Sequence, residues 1–145
     1  MATLKISDLS VGDWVRTKDG NVTVDIISPL EVVVMNDYGN LCACKIENIK
    51  PIPITAEVLK KNDFIRRSEE FGVYEYTTLL GKILRTTQVH LTAPQSINIF
   101  LHDTTIERGF YHREKTSVSI LRDEVYVHDL QHAIRLVGLD KEINL

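Results

Sequence analysis

The chain reads as an α+β protein: an N-terminal SH3-like small β-barrel, then an antiparallel sheet with a short middle helix and a C-terminal amphipathic helix packed on it. Three observations predict this. The first third alternates short apolar runs with turn residues, which is the pattern of a small all-β unit. A Pro-Ile-Pro segment and a capped apolar run, "KPIPITAEVLKKNDF", then interrupt it. Finally, "VYVHDLQHAIRLVGL" near the end carries apolar residues at helical spacing. The boundary falls at residue 54, with a β unit over 1–54 and an α+β unit over 55–145 that share one core.

Each element has a local reason. "DWVRT" leads to Lys18-Asp19-Gly20-Asn21, where Asp-Gly supplies the positive φ that a tight hairpin turn needs. In "VTVDII", Val22, Val24 and Ile26 share a face. A turn at Ser28-Pro29 precedes "LEVVVM", and the polar "NDYGN" turn precedes "LCACKI". Pro51 and Pro53 cannot donate to a ladder, so their segment is expected at an edge or in a linker. Thr55 is placed to cap a short helix with Glu57 in its first turn, lysines in its last, and Val58 and Leu59 as anchors. Six strand candidates follow: "FIRR", "VYEYTT", "LLGKILRT", "QVHLTA", "INIFLHD" and "SVSILRD".

The bulk numbers narrow the class. A chain of 145 residues with 43% hydrophobic and 26% charged residues can bury a core of its own. Its net charge of −3 argues against a general nucleic-acid or anionic-membrane binder. There is no signal-peptide pattern at the start and no apolar run of about 20 residues, so a cytoplasmic location without membrane contact is expected. Cys42 and Cys44 share one strand face and are poorly spaced for a mutual disulfide, which reads as two small buried hydrophobes in a reducing compartment. Trp14 reads as a plug of the first core, the alternative being an exposed groove aromatic.

Chemistry concentrates in two places. In the last helix Val127, Leu130, Ile134 and Val137 form a core stripe, and Gly138 sits where a left-handed residue would end the helix, with Leu139 closing on Ile134. His128, His132 and Arg135 fall on the other side, which is expected to face outward and to meet solvent or a partner. The His-Asp-x-x-His order is one methylene from the zinc-peptidase signature. A zincin needs a general base long enough to reach the metal-bound water and a third ligand. Asp129 is short, and only Asp140 and Glu142 follow as ligand candidates. No metal site, cofactor or catalytic residue is therefore assigned. The second place is "HDTTIERGFYHREKTS", which gathers Arg108, Tyr111, His112 and Arg113 beside Phe110 and Lys115. Such arginines pair bidentately with phosphate or carboxylate, and an adjacent ring can stack on a base.

Three blocks, "LKISDLSVGDWVRT", "IKPIPITAEVLKKNDF" and "YVHDLQHAIRLVGLDKEI", resemble a group of uncharacterised small proteins of gut Bacteroidales genomes, their mobile elements and their phages. Ile54 and Asp129 depart from the group's wording, and the stretch from Gly72 to Arg122 lies outside the resemblance. The resemblance implies a small accessory protein and carries no catalytic residues over. From these readings the expected function is non-enzymatic binding, with Arg108, Tyr111, His112, Arg113, His128, His132 and Arg135 as the ligand-binding residues. The expected ligand is a small anion such as a nucleotide immune signal, sequestered as a counter-defence. The alternatives are a protein-interaction or assembly module with a host protein as partner, with homo-oligomerisation allowed, and a metal-dependent hydrolase built on His128 and His132.

Overall fold

A computed structural model describes residues 3–103 and 114–145. The chain is α+β, with two antiparallel sheets in meander order. The first holds β1 (Trp14–Thr17), β2 (Gly20–Ile27), β3 (Val32–Met35) and β4 (Leu41–Cys44). The second holds β5 (Ile65–Ser68), β6 (Val73–Leu80), β7 (Ile83–His90), β8 (Gln95–Asp103) and β9 (Glu114–Arg122). The helices are α1 (Ala56–Lys61) and α2 (Val127–Leu136). The first sheet is open, with β1 and β4 as its edge strands; beyond its ladder with β2, β1 meets Lys50 through a bridge at Arg16. Among the described residues no helix is long and apolar enough to cross a membrane.

The turns follow their residues. Thr17 pairs with Gly20, so Lys18 and Asp19 make the first turn, and the positive φ of 114° falls on Gly20. Asn36 organises the β3–β4 turn by accepting from the amides of Tyr38 and Asn40, with Gly39 at φ 77°. Thr55 caps α1 as expected, its hydroxyl accepting from the Val58 amide at 3.3 Å. In the second sheet Leu80 pairs with Ile83 across Gly81-Lys82. "LLGKILRT" is therefore a hairpin turn, and "QVHLTA" continues the same β7 strand. Gly81, at φ 61°, makes that turn possible.

Buried apolar side chains form two clusters. One holds Leu4, Leu9, Val15, Val22, Val24, Val32, Val34 and Ile49. The other joins Ile52, Ile54, Leu59 and Phe64 to Tyr74, Val89, Ile97 and Ile99 of the second sheet and to Val125, Val127, Leu130, Ala133 and Ile134 around α2. The Pro-Ile-Pro segment lies between them and is more than a linker. The Ile54 amide donates to Val125 and the Val127 amide to Ile52, so this segment pairs with the entry to α2. The two cysteines depart from expectation: Cys42 is exposed and Cys44 half-buried, because β4 is an edge where the first core runs out.

α2 uses its predicted stripe and its predicted ending. Gly138 has φ 68°, its amide donates to Arg135, and the Leu139 amide donates to Ile134 at 3.1 Å, which is the double bond of a Schellman closure. Leu130 is 0% exposed and Leu136, six residues on and so about 120° round the helix, is 76% exposed. Leu130→Ala should cost about 2–5 kcal/mol in urea unfolding, and Leu136→Ala less than about 0.5 kcal/mol. Equal effects would mean that the helix is rotated differently.

Candidate functional site

The polar side of α2 faces solvent only in part: Arg135 is exposed as expected and His132 half-buried, but the rest is not. Its residues His128, Asp129 and Gln131 are buried, and the first unit covers them. An amphipathic wheel assigns the non-apolar side to water. Here that side meets the start of β1 instead, through a matched set of polar groups. Gln131 reads backbone on both sides of Asp13: its amide nitrogen donates to the Gly12 carbonyl at 3.0 Å, and its oxygen accepts from the Trp14 amide at 2.8 Å. Trp14 is half-buried: it packs on the margin of the second core rather than plugging the first, and its indole donates to the Ile143 carbonyl at 2.6 Å.

Asp13 is the centre of this contact and is 0% exposed. One carboxylate oxygen accepts from the Ser10 amide at 2.7 Å and from His132 Nε2 at 2.7 Å. The other accepts from Arg135 at 2.8 Å. Gly12, at φ 90°, lets the guanidinium approach, since a Cβ there would lie 3.1 Å from an Arg135 nitrogen.

One turn earlier on α2 the same side lines a cleft of about 460 Å³. Its walls are Thr3, Leu4, Ser7, Asp8 and Ser10 of the first segment and Arg122, Tyr126, His128, Asp129 and His132. The His128 ring stacks on Tyr126 with centroids 5.8 Å apart and meets His132 edge-on at 5.7 Å. His128 Nδ1 is buried and has no hydrogen-bond partner among the described residues. Burial holds this imidazole below the usual histidine range, against the opposing pull of the Asp129 and Asp13 carboxylates; His132 and Arg122 push in the same direction as burial.

Asp129 is structural here. It occupies the third position of α2, accepts from the Tyr126 amide at 3.0 Å as the acidic half of a cap, and pairs with Arg122 at 3.0 Å. It is therefore spent as a general base. Among the described residues no three His, Cys, Asp or Glu side chains gather so as to hold a metal ion. A two-histidine metal would also have to take His132 from Asp13.

The expected binding residues are thus separated. His128 and His132 share the cleft. Arg135 lines a different cavity, of about 340 Å³, with Gly12, Trp14, Gln131 and Lys141. Arg108, Tyr111, His112 and Arg113 lie outside the described residues. Sequence reasoning missed Asp13, Arg122 and Tyr126. A capping reading of Tyr126-x-x-Asp129 was open to it, whereas nothing local marks Asp13 as the partner of a helix 119 residues away. No family model, curated protein or solved structure matches the chain.

Two outcomes follow. Asp13→Ala should destabilise by roughly 3 kcal/mol, as removal of one side of a buried ion pair does. A double-mutant cycle with Arg135→Ala should show coupling; additive losses would mean that the pair is idle. The pH dependence has a definite sign. Because the folded state holds His128 below its unfolded value, the unfolded chain binds the proton more readily. This contribution is complete above about pH 6.5 and is lost as the pH falls below it. Urea midpoints should drop between about pH 7 and 5, and His128→Gln should flatten that drop.

Proposed function

We propose that the chain is a non-enzymatic binding protein whose small polar ligand enters the cleft between the first segment and α2. The observation that carries this is His128: its residue lines a cleft of ligand size, and its buried Nδ1 has no hydrogen-bond partner among the described residues. A buried polar atom without a partner costs about 1–3 kcal/mol, and a ligand that supplies one recovers it. Arg122, with a side chain 53% exposed, and the hydroxyls of Ser7 and Ser10 add polar groups around it.

The charge of the cleft limits the ligand. Asp8 and Asp129 stand against the one guanidinium of Arg122. A phosphate needs cations beyond Arg122, so the cleft as it stands suits a neutral polar ligand such as a nucleoside better than an anionic one. The resemblance to phage and mobile-element proteins favours sequestration of such a ligand over its conversion.

A protein-interaction role is the second reading, and a different surface supports it. On the outward face of the first sheet Met35 pairs with Leu41, and Ile26 with Val33. Ile26, Met35 and Leu41 are exposed there, with Leu30 and Tyr38 on the adjoining turns. The SH3-like reading of this unit rests on the chain after β4: a 3-10 turn at Ile46–Asn48 returns Lys50 to pair with Arg16 of β1.

Thermal-shift measurements against nucleosides, cyclic nucleotides and linear nucleotides test the proposal. A ligand at 100 times its Kd should stabilise the chain by about 2.7 kcal/mol. His128→Gln and Arg122→Ala should each reduce that response. A flat panel, or a response indifferent to both substitutions, would remove the cleft as the site.

A further inference from the structure

The open side of the first sheet holds a second cluster of reactive groups, remote from the α2 cleft in sequence and in lining residues. β4 is paired on one side only. Cys42 and Cys44 lie opposite Val34 and Val32, the buried residues of β3, so both thiols lie on the inner face of the sheet at its uncovered edge. A groove of about 880 Å³ runs there between the β1–β2 turn and the segment after β4. Arg16, Lys18, Lys45 and Lys50 line it against Asp19 and Glu47.

We propose that Cys42 and Cys44 form a two-sulfur site for a thiophilic monovalent cation, copper(I) being the natural occupant. Thiolates select soft ions of this kind. Residues two apart on a strand have Cα atoms roughly 6.7 Å apart, near the upper limit for a disulfide. Two metal–sulfur bonds of about 2.3 Å laid end to end span about 4.6 Å, which side chains leaning towards each other from one face can meet. Zinc would demand four ligands. Among the described residues no third ligand of the His, Cys, Asp or Glu type joins the pair, so an ion content with linear coordination is the one that fits.

Electrostatics agree with that choice. Burial pushes the Cys44 thiol up, and its neighbour Cys42 pushes it further by charge and by hydrogen bonding. Two thiolates side by side repel, and a cation between them removes the repulsion. On binding, both S–H bonds give their protons to solvent, two S–Cu bonds form, and no electron is transferred. The product carries one negative charge, and the groove's four cations outnumber its two acids.

The test is an anaerobic titration of the full chain with copper(I) held by a chromogenic copper(I) chelator, in a reductant that is not a thiol. One equivalent should leave the chelator, and a sulfur-to-copper charge-transfer band should appear in the near ultraviolet. Cys42→Ser and Cys44→Ser should each weaken uptake at least about 100-fold, the loss expected when one of two ligands goes. Iodoacetamide treatment of the folded wild-type chain should abolish uptake without any substitution. Failure to withdraw copper, or full uptake by either serine variant or by the alkylated chain, would overturn the site.

Discussion

A carboxylate withdrawn completely from water is the constraint on which the rest of this structure depends. Left alone, the charge of Asp13 would cost several kcal/mol, so its burial requires donors at both oxygens. Ser10, His132 and Arg135 supply them, and two of the three come from α2. The pairing adds little net stability over an apolar contact of the same size, but it is directional. Packing of the apolar stripe would tolerate small rotations and slides of α2 against the second sheet. The bonds to Asp13, with the two bonds of Gln131 to Gly12 and Trp14, tolerate neither.

This contact decides which groups remain for function. His132 and Arg135, the more exposed polar groups of α2, are engaged by Asp13. Asp129 is engaged by the helix start and by Arg122. The side of the helix that looks richest in chemistry is thereby largely committed to joining the two units. What it leaves is the cleft at its N-terminal end, where a neutral imidazole is held out of water beside a stacked tyrosine. Burial disfavours the charged form of that ring. The neutral ring is well suited to a hydrogen bond that discriminates among ligands.

The features legible in the sequence are those whose cause lies within a few residues. Thr55, Asn36, Gly20 and Gly138 act on their own turns, and the Val127/Leu130/Ile134 stripe follows from the pitch of a helix. The errors share a different cause. Periodicity separates apolar from polar residues, but water and a polar protein surface look alike to it. The outward assignment of His128 failed for that reason. Cys42 and Cys44 were placed inside because alternation shows which face a residue takes, and does not show where a sheet ends. Continuous β-propensity through Thr86-Thr87-Gln88 likewise hid the fact that "LLGKILRT" turns at its glycine while β7 runs on. Asp13 is the extreme case, since its partners lie at the far end of the chain.

Among the described residues three buried side-chain atoms lack a hydrogen-bond partner, Arg85 Nε, Thr87 Oγ1 and His128 Nδ1, and of these His128 alone belongs to the cleft between the first segment and α2. Across the face that joins the units, Asp13, Gln131, the Gly12 carbonyl, the Trp14 amide and the indole all have partners at ordinary distances. A surface matched so closely has no evident reason to leave His128 Nδ1 without one. Replacing the ring by an apolar side chain of similar size would remove the penalty outright, so the nitrogen is a cost carried by the folded chain alone. Such a cost is intelligible where the missing partner arrives from outside. That ring belongs to a residue of the cleft and takes no part in the bonds to Asp13, which separates the proposed binding surface from the structural one.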